Sequence, residues 1–164
     1  MINNYLERQI KENFPYQPTS EQEIAIKSLS EFLLSSCNEA VFLLRGYAGT
    51  GKTSLVGALV RTLDQLQQKS ILLAPTGRAA KVFSAYAGHP AFTIHKKIYS
   101  QQSFSDETGN SSVNDNLTTH TLYIVDESSM IANDGLSGSA FGTGRLLDDL
   151  VQFVYSGMGC RLLL

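Results

Sequence analysis

Cysteine is scarce. The two present, Cys37 and Cys160, lie far apart and outside any CxxC pattern. They read as reduced thiols in a cytosolic protein, with a disulfide or a metal site as the alternative. Long apolar runs are missing too: none approaches the roughly 20 residues a membrane helix needs. The opening stretch MINNYLERQIKENF mixes both charge signs and has no apolar core of signal-peptide length. Together these absences predict a cytoplasmic protein without a membrane partner. Net charge is small as well: 13 Lys and Arg against 15 Asp and Glu leave −2, so the chain as a whole is no polycation. No NKxD motif occurs, which argues against a guanine-reading GTPase.

One absence is local. Between Asp64 and Asp106 there is no Asp or Glu, while Lys69, Arg78, Lys81, Lys96, Lys97, His89 and His95 fall in that span. Phe83, Tyr86, Phe92, Tyr99 and Phe104 are interleaved with them. Cations among rings suit a single-stranded nucleic acid track, where bases stack at about 1–3 kcal/mol each. The same composition suits an ordinary solvated face over core aromatics, with Phe83 turned inward.

The 164 residues, 43% hydrophobic and 17% charged, are those of one globular domain. Ile2, Leu6, Ile10 and Phe14 recur every four residues and predict an amphipathic first helix, which FPYQP ends. Thr19 with Gln22, or Ser20 with Glu23, can form a capping box for a second helix whose apolar face is Ala25, Leu29, Phe32 and Leu33. AVFLLR, SILLAP, TLYIVDE and CRLLL read as buried strands. Helices are predicted from about Lys52 to Leu66, over GRAAKVFSAYA and over RLLDDLVQFVYS, with a helical turn at TIHKKIY. Residues 100–119 read as a loop or weak hairpin and ANDGLSGSAFGTG as a mobile segment. Strands alternating with helices predict an α/β fold with a mostly parallel sheet and helices on both faces.

GYAGTGKT, Gly46 to Thr53, matches G-x-x-x-x-G-K-[ST] between a predicted strand and a predicted helix. Gly46, Gly49 and Gly51 let backbone N–H groups wrap a phosphate chain, and the helix start adds its positive end. Lys52 can reach the outer phosphates, and the Thr53 hydroxyl can hold Mg²⁺. Gly46, Ala48, Gly49, Thr50, Gly51, Lys52, Thr53 and Ser54 are the candidate ATP-binding residues. Downstream, Asp126 and Glu127 end an apolar strand, the place where open α/β sheets bind ligands. Asp126 is the candidate to hold Mg²⁺, directly or through a bound water, and Glu127 the candidate base for an attacking water, with Lys52 as its catalytic partner. A base that activates water suits a hydrolase. A small-molecule kinase keeps water out, and its arginine-rich lid is absent, since only Arg145 and Arg161 occur in the last third.

Taken together these stretches resemble the first motor domain of superfamily 1 DNA helicases of the RecD-like, 5′–3′ branch. PTSEQEIAI is similar to the Q-motif, GYAGTGKT to motif I, LLAPTGRAA with FTIH to motif Ia and its companion, and LYIVDESSMI to motif II. The resemblance implies a RecA-like P-loop ATPase using ATP and Mg²⁺, with Gln22 reading the adenine edge. It implies single-stranded DNA contacts at Pro75, Thr76, Gly77, Arg78, Thr93 and His95. It implies one ATPase domain over residues 1–164, with 1–18 as N-terminal helix and linker. Residues 96–120 then stand where the family inserts a strand-separating pin, here short and polar. A monomer is expected. The family continues into a glutamine that senses the γ-phosphate and a second motor domain that supplies an arginine. Neither is among these residues, so the chain is expected to be the N-terminal part of a longer helicase, binding Mg·ATP without unwinding. The alternative reading is a nucleotide-dependent switch or loader that does not translocate. CRLLL is expected to slot between the strands of motifs I and II.

Overall fold

The strands β1 (Val41–Phe42), β2 (Lys69–Ala74), β3 (Ala91–Thr93), β4 (Thr121–Val125) and β5 (Arg161–Leu163) lie in the order β1-β5-β4-β2-β3, all paired parallel. The computed structural model describes residues 2–99, 112–132 and 142–164. Six helices accompany the strands among these residues: α1 (Ile2–Glu12), α2 (Ser20–Leu34), α3 (Lys52–Gln65), α4 (Gly77–Ala87), α5 (Ile94–Ile98) and α6 (Leu146–Ser156). The result is an α/β, RecA-like P-loop fold.

Parallel strands covered on both faces must be apolar throughout. All five residues of β4 are buried for this reason. Alternate side chains then feed two cores. Leu72, Leu122, Ile124 and Leu163 pack with α1 to α4 on one face. Leu73, Tyr123, Val125 and Leu162 pack with α5 and α6 on the other. β5 sits between β1 and β4, with Leu162 at 0% and Leu163 at 1% exposure, as a central strand requires.

Local chemistry explains the helix starts. Thr19, not Ser20, caps α2: Gln22 N donates to Thr19 Oγ1 at 3.3 Å, and Thr19 N donates to Gln22 Oε1 at 2.9 Å. The far end of α2 is closed from β5, where the Arg161 guanidinium donates to the carbonyls of Phe32 (2.8 Å) and Ser35 and lies over the Phe32 ring. The positive charge at a helix C-terminus is favourable in itself. On the opposite face, the buried carboxylate of Asp149 accepts from Tyr99 Oη at 2.7 Å and from Thr143 N and Oγ1 at 3.0 and 2.8 Å.

Three features depart from the sequence reading. β1 is an edge strand only two residues long, and Val41 and Leu43 are exposed rather than covered on both faces. Its neighbours Phe42 and Leu44 pack on the α1–α4 side alone. β3 is a fifth strand, unforeseen because three residues leave no period to read. α2 also buries Ile26, which the predicted face omitted. Residues 100–111 of the polar segment and 133–141 of the predicted mobile segment lie outside the described residues. Cys37 is exposed and Cys160 buried, both as free thiols. Among the described residues no helix is long and apolar enough to cross a membrane.

Candidate nucleotide-binding site

The strands run parallel, so their ends share one edge of the sheet, and those of β1 to β4 deliver residues singled out from the sequence. β1 runs into the Gly46–Gly51 loop, β2 into Pro75–Arg78, β3 into Thr93–His95 and β4 into Asp126 and Glu127. The register pairs Ala74 with Thr93 and Leu73 with Val125, so the last three segments are lateral neighbours.

The loop has the backbone its glycines permit. Gly49 and Gly51 have φ of 80° and 86°, in the left-handed region that L side chains avoid. A Cβ at Gly46 would come within 2.7 Å of Thr50 Oγ1, and one at Gly51 would strike Gln22 Nε2. Gly51 is the N-cap of α3 and offers no side-chain acceptor, so the first amides of that helix are left for a ligand. The Lys52 ammonium lies back across the loop and donates to the carbonyls of Gly46 and Tyr47, the latter at 2.9 Å. Gln22 does two things at once: its Oε1 completes the capping box, and its Nε2 donates to Thr50 O at 3.0 Å. Tyr16, whose hydroxyl is 3.1 Å from Ser54 Oγ, reaches the same helix start.

A cavity of about 620 Å³ opens beside this loop. Gly46, Ala48, Lys52, Thr53, Asp126 and Glu127 line it, over an apolar floor that includes Val56, Ile124 and Leu163. Asp126 continues the sheet ladder, its N–H donating to Leu73 O at 3.0 Å. Glu127 is exposed and leaves the strand with φ of 54°. That conformation costs a non-glycine residue on the order of 1 kcal/mol and turns the chain into the 3-10 turn Ser128–Met130. The donors facing the cavity, a hydroxyl and two carboxylates, are hard oxygens that fit Mg²⁺. Among the described residues no group of three or more His, Cys, Asp or Glu is placed to hold a metal ion. The set therefore suits an ion shared with phosphates rather than one caged by protein alone.

The acid-free span resolves into mixed roles. Arg78, Lys81, His95 and Lys96 are exposed. Thr76 caps α4 by accepting from Ala79 N, and Thr93 caps α5 by accepting from Lys96 N, both at 3.2 Å. The aromatics are not a continuous stacking track. Phe83 (0%) and Tyr99 (4%) are buried core, Tyr86 is half-buried, and Phe92 alone among the described ones is exposed, at 40%. Phe104 lies outside the described residues. Desolvation of the His95 ring lowers its pKa below the ordinary histidine value, which weakens it as a cation. His89 faces Asp64 at 3.6 Å. Sequence reasoning missed Tyr86 as a site residue: its hydroxyl donates to Asp126 Oδ2 at 2.9 Å. Only the fold brings together two residues 40 positions apart.

The sequence model of the AAA domain family matches residues 19–138. An uncharacterized protein of Methanocaldococcus jannaschii is 30% identical over 151 aligned residues, which cover 84% of this chain and 12% of the relative. The chain thus spans a small part of the curated relative it matches. The family match takes in the Thr19 cap, the phosphate loop and the acidic pair, all on the sheet edge described above, and the chain belongs to the AAA domain family of P-loop NTPases.

Proposed function

We propose that the chain is the ATP-binding motor domain of a RecD-like DNA helicase, coupling ATP hydrolysis to movement on single-stranded DNA. One observation carries this reading: the phosphate loop, the acidic pair, the exposed Thr76–Arg78 segment and the β3–α5 junction at Thr93–His95 share one edge of one parallel sheet. A ligand on one set therefore lies next to the strand ends that carry the other.

In this reading Gln22 leaves the Thr50 carbonyl for the adenine edge. Residues Gly46 to Ser54 wrap the phosphates, and Lys52 exchanges its two carbonyl partners for phosphate oxygens. Thr53 and Asp126 hold Mg²⁺, which when bound neutralises phosphate charge. Glu127 accepts the proton of the attacking water as its oxygen bonds to the γ-phosphorus and the bond to ADP breaks. Pro75, Thr76, Gly77, Arg78, Thr93 and His95 contact the DNA strand. Residues 1–164 act as one ATPase domain, with 1–18 as helix and linker and 96–120 in place of a pin. The resemblance assigns the transition-state arginine, worth about 10³–10⁵ in rate, to a second motor domain. The chain alone then binds Mg·ATP with little hydrolysis and no unwinding.

Anisotropy of a labelled single-stranded oligonucleotide tests the DNA half. Arg78→Ala is expected to weaken binding and to lower the salt dependence by about one phosphate contact, with ATP-analogue binding unchanged. Unchanged oligonucleotide affinity at low salt would make the acid-free span a solvated face and favour a switch that does not track DNA.

A further inference from the structure

Tyr86 takes no part in the chemistry above, yet its hydroxyl bonds Asp126, which lines the cavity. Its ring stacks on Phe83, with centroids 5.2 Å apart and planes 29° from parallel. Its backbone lies close against α3, where a Cβ on Gly57 would sit 3.8 Å from Tyr86 O. Ring and backbone are thus both held, and the hydroxyl has one acceptor among the described hydrogen bonds, Asp126 Oδ2 at 2.9 Å. Burial, reinforced by the carboxylates of Asp126 and Glu127, raises the phenol pKa far above its ordinary value. The phenol O–H is the donor in this bond, since a carboxylate oxygen accepts.

A carboxylate at a strand end can turn about its own side-chain bonds, and each orientation presents different oxygens to a ligand. A donor fixed by packing removes that freedom. Removing a partner that orients a metal ligand in this way typically costs about 10- to 100-fold in metal affinity. We propose that Tyr86 is the positioning residue for the Asp126 carboxylate, holding it in the orientation that takes the Mg²⁺ of the bound nucleotide. This rests on the reading of Asp126 as a Mg²⁺ ligand.

The test is titration of a fluorescent ATP analogue into wild type, Tyr86→Phe, Asp126→Asn and the double variant, each in Mg²⁺ and in EDTA. Phenylalanine keeps the ring stack and removes only the donor, so thermal midpoints should agree within a few degrees. In EDTA the four proteins should bind alike. In Mg²⁺, Tyr86→Phe should lose about tenfold in affinity. In the Asp126→Asn background the same change should cost nothing more, because the two residues act as one unit. A Mg²⁺-dependent gain equal to that of wild type overturns the proposal, as does an equal loss in EDTA. A wild type that binds the analogue but gains nothing from Mg²⁺ overturns the metal reading of Asp126 and the proposal with it. A wild type that binds no analogue in either buffer overturns the nucleotide site itself.

Discussion

Asp126 and Glu127 are adjacent in sequence but meet different surroundings. Asp126 is half-buried, with its amide in the sheet ladder and its carboxylate on Tyr86. Glu127 is exposed, in a left-handed conformation that glycine or asparagine would adopt more easily. A strained, solvent-facing carboxylate beside a phosphate cavity fits a base for water better than a structural anchor. Glu127→Gln is expected to keep ATP-analogue affinity near wild type and, in a protein that also carries the second motor domain of the proposed helicase, to lower the hydrolysis rate by about 10²–10⁴. Phosphate release under single-turnover conditions measures this, and a rate equal to wild type would remove Glu127 from the chemistry. Both carboxylates were legible from sequence because an apolar strand ending in acids is a local pattern. Tyr86 was not, because its partner is defined only by how α4 crosses the sheet.

At the scale of elements, position in the sheet decides how much a residue matters. β5 is flanked on both sides and buried on both faces, whereas β1 has one neighbour and one open face. Leu162→Ala is therefore expected to cost about 2–5 kcal/mol, and Val41→Ala, at 39% exposure, under about 1 kcal/mol. Urea unfolding midpoints report both, and equal losses would contradict the edge assignment of β1. The central strands and α4 could be read from the chain because their burial leaves a continuous apolar or helical pattern. The edge position of β1 and the existence of β3 could not. AVFLLR looks like a strand covered on both faces, but which strands flank it is a property of the whole sheet. β3 passes directly into α5, with Thr93 serving as its last residue and as the helix cap. Thr19 and Ser20 are equivalent caps of α2 in sequence, and the Gln22 amide, which bonds both Thr19 and the phosphate loop, selects Thr19.

For the molecule as a whole, a parallel sheet brings together at one edge residues that the chain scatters from Gln22 to Glu127. That convergence follows from the common direction of the parallel strands, whose carboxyl ends lie at one edge, so the alternation of strands and helices in the chain anticipates it. The acid-free span shows the opposite case. Its composition suits both a track of cations and rings and a solvated face over core aromatics; packing puts Phe83 in the core as expected, adds Tyr99 to it, ties Tyr86 to Asp126 and lowers the pKa of His95. What composition alone could not distinguish was which rings face water. The central claim, a phosphate loop that binds Mg·ATP through Lys52, meets its most direct test in titration of a fluorescent ATP analogue against wild type and Lys52→Ala in Mg²⁺. Wild type should saturate, and the variant should bind about 10- to 100-fold more weakly, as expected for loss of a charged hydrogen bond worth about 1.5–3 kcal/mol. Equal binding by both would contradict the account.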